Sequence, residues 1–339
     1  MTRRRQLTLG ALGLGLLATI VAGVWLARVV DPPGPPGGRV SVAIPPGTSA
    51  AGIAARLERQ GVLSSARVFR VYLRVKGAGT SFQAGEYELH RRMAMGDVLD
   101  ALHAGPRIRF AKLVIPEGFS LDEIAAAVGR LPGHDAGRFL QLARSGAVRS
   151  RWQPPGVSSL EGLLFPDTYL VTDKEDETAV LSRLVRRFDE VAGQIGLGQR
   201  HLPAGMSPYQ AVVAASLVEG EAKVPEDRPL IASVIENRLE RGMKLQVDAT
   251  VLYALGHHQS RVLFKDLEVD SPYNTYKVDG LPPTPIGSPG RASLEAVIDP
   301  ANEEYIYYVL FDKNGKHAFA KTAAEFDRLK AEARRRGVL

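Results

Sequence analysis

The amino-acid sequence predicts an α+β fold behind a single N-terminal transmembrane helix. Three observations carry this expectation. A charge-free apolar run follows an arginine cluster at the start of the 339-residue chain. Beyond it, a strand pattern is twice followed by a Pro/Gly turn and a capped helix. Towards the end, several apolar helices give way to a β-hairpin signal. Hydrophobic residues make up 45% and charged residues 24%, so the chain can bury a core and does not read as disordered. It contains no cysteine. That excludes a disulfide scaffold, a cysteine nucleophile and a thiolate-held metal.

Arg3, Arg4 and Arg5 precede an uncharged stretch from Gln6 to Ala27 rich in Leu, Ala, Gly and Val. Twenty helical residues rise about 30 Å, the thickness of a hydrocarbon core. Trp25 and Arg28 stand at the far end, where aromatic and snorkelling residues sit. No A-x-A-like cleavage site follows, so an uncleaved anchor is expected rather than a removed signal peptide. Residues 1–6 then form a cytoplasmic tail and residues 7–28 the membrane helix. Everything beyond lies on the extracytoplasmic, periplasmic side under the positive-inside bias. The formal charge is +6, from 43 basic and 37 acidic residues. Four of the cations and no acidic residue fall within residues 1–30, leaving 39 cations against 37 anions in the rest. The basic excess therefore reads as an orientation signal, and no nucleic-acid partner is expected. Residues 29–38 end in Asp31-Pro-Pro-Gly-Pro-Pro-Gly-Gly38, a stiff, extended spacer.

Arg39 to Ile44 alternates like a strand, Pro45 to Ser49 reads as a turn, and Ala50 to Gln60 has helical spacing. Gly85 to Leu89 is a second strand and Met93 to Leu102 a short helix. The first pattern then returns. Lys112 to Ile115 is a strand, Pro116-Glu117-Gly118 a turn, and Ser120-Leu-Asp-Glu123 a capping box opening a helix to Leu131. These pieces resemble the LysM type of glycan-binding module, in Ile44-Pro-Pro-Gly-Thr-Ser49…Ile53-Ala54 and Ile115-Pro-Glu-Gly-Phe-Ser120…Ile124-Ala125. Residues 39–131 are therefore expected to form a LysM-like α+β subdomain. A packing domain with no ligand gives the same pattern.

Residues 132–205 read as a connecting region with amphipathic helices at Phe139–Ala147 and Thr178–Ile195. Leu160 to Tyr169 between them is a dense mix of apolar and turn residues, with nothing catalytic by type.

Residues 206–339 carry the chemistry. Ser207-Pro208-Tyr209-Gln210 is a strong helix start, and Ala211 to Val218 is almost wholly apolar. This buried helix ends in Glu219-Gly220-Glu221. Carboxylates at a helix C-terminus oppose the macrodipole, which raises their pKa as a general acid requires. Two residues apart, they project about 200° from each other, so at most one lies in a cleft. Equally, both could be surface groups. Arg228-Pro229 opens the next helix, and Asp248 is placed to cap a third, from Ala249 to Leu255. His257-His258 beyond it reads as loop rather than metal site. Ser271 to Tyr276 and Gly280 to Gly290 form long, stiff loops, and Tyr273, Asn274 and Tyr276 offer the rings and hydrogen bonds that sugars need. Tyr305 to Phe311, Asp312-Lys-Asn-Gly315 and His317-Ala-Phe319 read as a hairpin.

Together these strings resemble the YceG-like family of endolytic murein transglycosylases. The matching segments are Val218-Glu-Gly-Glu-Ala222, Asn237-Arg-Leu239, Met243-Lys-Leu-Gln-Val-Asp248, Tyr273-Asn-Thr-Tyr276, Gly280-Leu-Pro-Pro283, Pro289-Gly290 and His317-Ala-Phe319. The family pattern around the acid is similar to E-K-E-T, with the second Glu catalytic, which corresponds to Glu221. This chain has Gly220 and Ala222 at the Lys and Thr positions of that pattern, Ala249 where Pro is common and Thr284 where Gly is usual.

The resemblance implies a membrane-anchored lyase that cuts nascent peptidoglycan strands between MurNAc and GlcNAc. Glu221 is the implied catalytic residue, Gln246, Tyr273, Asn274 and Tyr276 the implied sugar contacts, and no metal or cofactor is implied. The implied partners are glycan strands, the cytoplasmic membrane and peptidoglycan synthases. The alternative from another class is a non-catalytic, membrane-anchored peptidoglycan-binding scaffold.

Overall fold

The computed structural model describes residues 2–78, 82–199, 201–256 and 262–339, with side chains described from residue 16 onward. The chain opens with helix α1, Thr2–Val30. Among the described residues, no helix is long and apolar enough to cross a membrane. The first part of the expected membrane span lies outside the described side chains. The His257-His258 pair lies outside the described residues altogether.

The chain divides into two compact units. One comprises Met1–Lys112 and Leu170–Lys174, the other Leu113–Tyr169 and Glu175–Leu339. The expected LysM-like segment, 39–131, runs across this division.

In the first unit, β1 (Arg39–Ile44) pairs antiparallel with β2 (Gly85–His90). Alternation puts Val42 and Ile44 of β1, and Tyr87 and Leu89 of β2, on the buried face. Helices α2 (Ala50–Arg59), α3 (Ala66–Val75) and α4 (Met95–Ala104) supply Ile53, Leu57, Phe69, Leu73, Met95, Val98 and Leu102 to the same core. Ser49 caps α2 by accepting from the Gly52 N–H. Strands β3 (Ile108–Val114) and β4 (Thr168–Thr172) complete a four-stranded sheet in the order β1-β2-β3-β4, with β2 and β3 antiparallel.

The second unit is mainly helical. The capping box Ser120/Glu123 starts α5 (Leu121–Val128), as expected. Helices α6 (Ala136–Ser145) and α7 (Glu177–Gln194) follow. The central helix is α8 (Pro208–Glu221), begun by the Ser207/Gln210 capping box with Pro208 at its first position. Its residues 211–218 are all buried because α9 (Arg228–Glu240), α10 (Asp248–Leu255) and α11 (Arg291–Ile298) pack round it. A hairpin of β5 (Tyr307–Leu310) and β6 (His317–Ala320) and a final helix, α12 (Ala323–Arg335), close the chain.

Candidate active site

The two carboxylates that end α8 have separate environments, as their angular separation requires. The Glu219 side chain is 7% exposed and fully engaged. It accepts from Arg228 Nη2 at 3.1 Å, from the Gly290 N–H at 2.9 Å and from the Ser293 hydroxyl at 2.8 Å. These contacts tie α8 to the starts of α9 and α11. Glu219 also repels Glu117, whose carboxyl is raised by burial first and by that repulsion second.

Glu221 is half-buried and turned towards α10 and the hairpin. Its Oε1 accepts from the Ala249 N–H at 3.3 Å, and its Oε2 from the Tyr308 hydroxyl at 3.2 Å. Burial pushes its carboxyl above the ordinary carboxylate range, and the charge of Asp248 pushes it further. The two hydrogen bonds and Lys223 act the other way and are outweighed. The raised pKa expected from the helix end alone is thus set by other groups: two donors favour the charged form, and desolvation outweighs them. Tyr308 is half-buried, and its desolvation first and the Glu221 charge second hold its phenol well above its usual range and keep it a donor.

The expectation that Asp248 caps α10 is corrected. Asp248 is the first residue of that helix and makes no cap hydrogen bond. Its carboxylate instead accepts from the Tyr276 hydroxyl. Gly220 allows α10 this close, since a Cβ there would lie 2.9 Å from the Ala249 Cβ.

Of the expected sugar contacts, Gln246 is exposed and has a left-handed backbone, φ 51°. Such strain in a non-glycine residue needs support from its surroundings. Support comes from the Gln246 N–H to the Thr275 carbonyl, 3.1 Å, and from Arg238, whose Nη1 donates to the Lys244 and Leu245 carbonyls. Arg238 Nε also donates to the Ile306 carbonyl, just before β5, and Asn237 holds the carbonyls of Glu303 and Tyr305. The Asn237-Arg238 pair thus fixes the approach to Tyr308 and to Gln246 at once. His317 backs Tyr308 edge-on at 5.5 Å and is pinned by Asp227, which accepts from its N–H and faces its Nδ1 at 2.9 Å.

Tyr276 is half-buried and reaches Asp248. Tyr273 is half-buried, with its hydroxyl 2.8 Å from the Thr284 hydroxyl and its ring 4.9 Å from that of Tyr253. Asn274 does not face the site. It is fully buried, its amide donates to the Leu267 and Val269 carbonyls, and its oxygen accepts from the Tyr276 N–H. Its work is to hold the loop.

A groove of about 750 Å³ passes Gly220 and Ala249, the neighbours of Glu221. Ser120, Asp122 and Glu123 at the start of α5 form one wall, and Leu252 and Tyr253 on α10 another. Gly280-Leu-Pro-Pro283 lies elsewhere, round a separate cavity of about 480 Å³ beside Met206 and Tyr209. Among the described residues, no cluster of three carboxylate or imidazole groups is placed to hold a metal.

Tyr308, the new role of Asp248 and the groove wall at α5 were not foreseen from sequence. Their partners are far apart in the chain, and no local spacing marks them. A model of the YceG-like family matches residues 42–332. The chain belongs to the YceG-like family. A relative from Bacillus subtilis (strain 168), named endolytic murein transglycosylase, is 34% identical over 305 residues, covering 86% of this chain and 84% of that protein. One of the same name from Streptococcus pneumoniae (strain R6) is 31% identical over 323 residues, but this chain spans 58% of its length. A crystal structure of a YceG-like protein from Listeria monocytogenes superposes with a TM-score of 0.60 at 34% identity, over 86% of this chain and 98% of that one.

Proposed function

We propose that this protein is a lyase that cuts peptidoglycan strands internally, an endolytic lytic transglycosylase in which Glu221 is acid and then base. The observation that carries the reading is a carboxyl raised by burial and held by two donors, one of them Ala249, which with Gly220 lines an open groove. The names of the relatives supply the substrate class.

Protonated Glu221 gives its proton to the glycosidic oxygen between MurNAc and GlcNAc, and the bond from C1 to that oxygen breaks. The carboxylate so formed takes the proton of the MurNAc C6 hydroxyl, whose oxygen closes on C1. A 1,6-anhydro end results and no water is consumed. The nucleophile belongs to the same sugar, so its effective concentration is high. Tyr308 and the Ala249 N–H steady the carboxylate between the two transfers. Gln246 and Tyr276 contact sugar, while Tyr273 and Asn274 hold the loop that presents Tyr276.

Asp248 favours a second reading. A further carboxylate close enough to raise Glu221 could activate water, as glycoside hydrolysis with two carboxylates requires. Digestion of isolated glycan strands, read by mass, separates the two. Anhydro ends are one water lighter than reducing ends, and Glu221→Gln abolishes either product. Strands retained without new ends would support the scaffold alternative.

The N-terminal reading is part of the same proposal. Helix α1 leaves Leu16, Leu17, Ile20, Val21, Val24, Trp25 and Leu26 exposed, and Arg3 to Arg5 precede its uncharged run. These features support a single-pass anchor in the cytoplasmic membrane, with the glycan-cutting part outside and strand-synthesising enzymes as neighbours. The strand-turn-helix repeats support a LysM-like glycan contact.

A further inference from the structure

Glu161 is a buried acid that the proposed chemistry does not use. It is 3% exposed, on a turn between α6 and β4. Only glycine fits beside it: Gly162 has φ 73°, and a Cβ there would lie 2.3 Å from that of Pro285, so the turn packs closely on the 280–290 loop. From this turn the carboxyl reaches two elements. Its Oε1 accepts from the Leu121 N–H, the first residue of α5, at 2.9 Å. Its Oε2 accepts from the Tyr253 hydroxyl on α10 at 3.0 Å. Those two elements are the facing walls of the groove beside Glu221. The tie continues, because the Tyr253 ring packs on Tyr273, whose loop carries Tyr276 to Asp248.

We propose that Glu161 is a positioning residue that sets the spacing of the groove walls, and so governs how tightly a glycan strand is held without touching it. The proposal rests on the glycan-cutting reading for the identity of its ligand. An apolar side chain could fill the same space at lower desolvation cost, but could not hold an N–H and a hydroxyl together. Glutamine could. Its amide oxygen accepts from Leu121, and its NH2 donates to the Tyr253 oxygen.

The test measures kcat and KM on isolated glycan strands, and strand affinity in a Glu221→Gln background where nothing is cut. Glu161→Ala is expected to raise KM and Kd about tenfold, as its hydrogen bonds to α5 and α10 are lost together, with kcat within about twofold. Glu161→Gln is expected to restore both values. Tyr253→Phe is expected to raise them less, and to add nothing on top of Glu161→Ala. A fall in kcat at constant KM, or no rescue by glutamine, overturns the proposal. If Glu161→Ala does not fold, Tyr253→Phe decides, and an unchanged Kd in that variant overturns the proposal too. Should wild type leave no anhydro ends, the cleavage reading fails, while the Kd series still decides the role of Glu161.

Discussion

Two glutamates two residues apart end the same helix and do different work. Glu219 is a structural anion with three donors, and Glu221 is a raised acid with two. An acid must enter the reaction protonated, so kcat/KM should fall as pH rises through the Glu221 pKa. Tyr308 donates to the charged form and lowers that pKa. Tyr308→Phe should therefore move the alkaline limb to higher pH, and a pH–rate profile that moves down or stays put would refute the pairing. Glu221→Gln should leave no detectable cleavage, since the amide can neither give nor take the proton. Gly220 belongs to the same scale. Gly220→Ala sets a Cβ against Ala249, pushes away the N–H that Glu221 needs, and should slow cleavage about tenfold, or about 1.4 kcal/mol. Ala249→Gly makes room and should recover part of the loss in the double variant. Additive losses would show that the clash is not the cause. Glu161 makes a stability prediction. Burial lifts its carboxyl to about 7 against two lowering hydrogen bonds, with Asp122, Arg144, Tyr253 and Tyr209 as its charged or titratable neighbours. A raised carboxyl favours the folded state while protonated, and that stability is lost as pH rises from the ordinary range through about 7. Glu161→Gln removes the ionisation, so the variant should be the more stable form at pH 8, by up to about 3 kcal/mol. Thermal melts at pH 5 and pH 8 read the crossover.

Elements with a polar cap followed by an apolar face were legible in the sequence. The capping boxes before α5 and α8, and the β5–β6 hairpin with its Asp-Lys-Asn-Gly turn, are local signals and stand where expected. Helix α3 was missed because Val68, Phe69, Val71, Tyr72 and Val75 are β-branched or aromatic, and two of those valines are exposed rather than in the core. Helix α11 begins at Gly290 without a polar cap, straight out of a proline-rich loop, and β4 is five residues long. By residue type and spacing alone the acid was legible only as a choice between Glu219 and Glu221, and the family resemblance is what singled out Glu221. The contacts that distinguish Glu221 come from Ala249 and Tyr308, 28 and 87 positions away. Arg238 joins two such elements. One guanidinium holds carbonyls at the start of β5 and before Gln246 and lies over the Tyr307 ring, so a lysine with a single ammonium cannot replace it. Arg238→Lys should lose about 1–3 kcal/mol of stability and slow cleavage, because Tyr308 and Gln246 both lose their support. A melting curve and a rate equal to those of wild type would show that the clasp is not needed.

For the whole molecule, the formal charge of +6 divides unevenly, with four cations and no acid in the first thirty residues and near-balance in the rest. A polyanion-binding surface would spread its cations over the folded units. The anchor proposed for α1 would account for cations concentrated at one end. The eight residues from Asp31 to Gly38 are not the extended spacer expected from their prolines: the Gly37 N–H donates to the Arg91 carbonyl at 2.7 Å, the Arg91 N–H to the Gly38 carbonyl at 3.1 Å and Arg92 to the Pro33 carbonyl at 3.0 Å, so the anchor proposed for α1 would hold the first unit close to the membrane. This gives a prediction with two readouts. Val29 and Val30 pack against the first core, so the anchor should be removed after Arg28 and not later. Replacing residues 1–28 by a cleavable export signal should give a protein that no longer sediments with membranes after an alkaline wash. Because the acid, its donors and the groove all lie beyond residue 112, the freed protein should still cut isolated strands at an unchanged rate. In cells the same protein should leave its new ends away from newly made strands, if the proposed tether is what selects them. If the freed protein lost its activity on isolated strands, α1 would be part of the working fold. If the full chain washed off membranes, the charge asymmetry would need another cause.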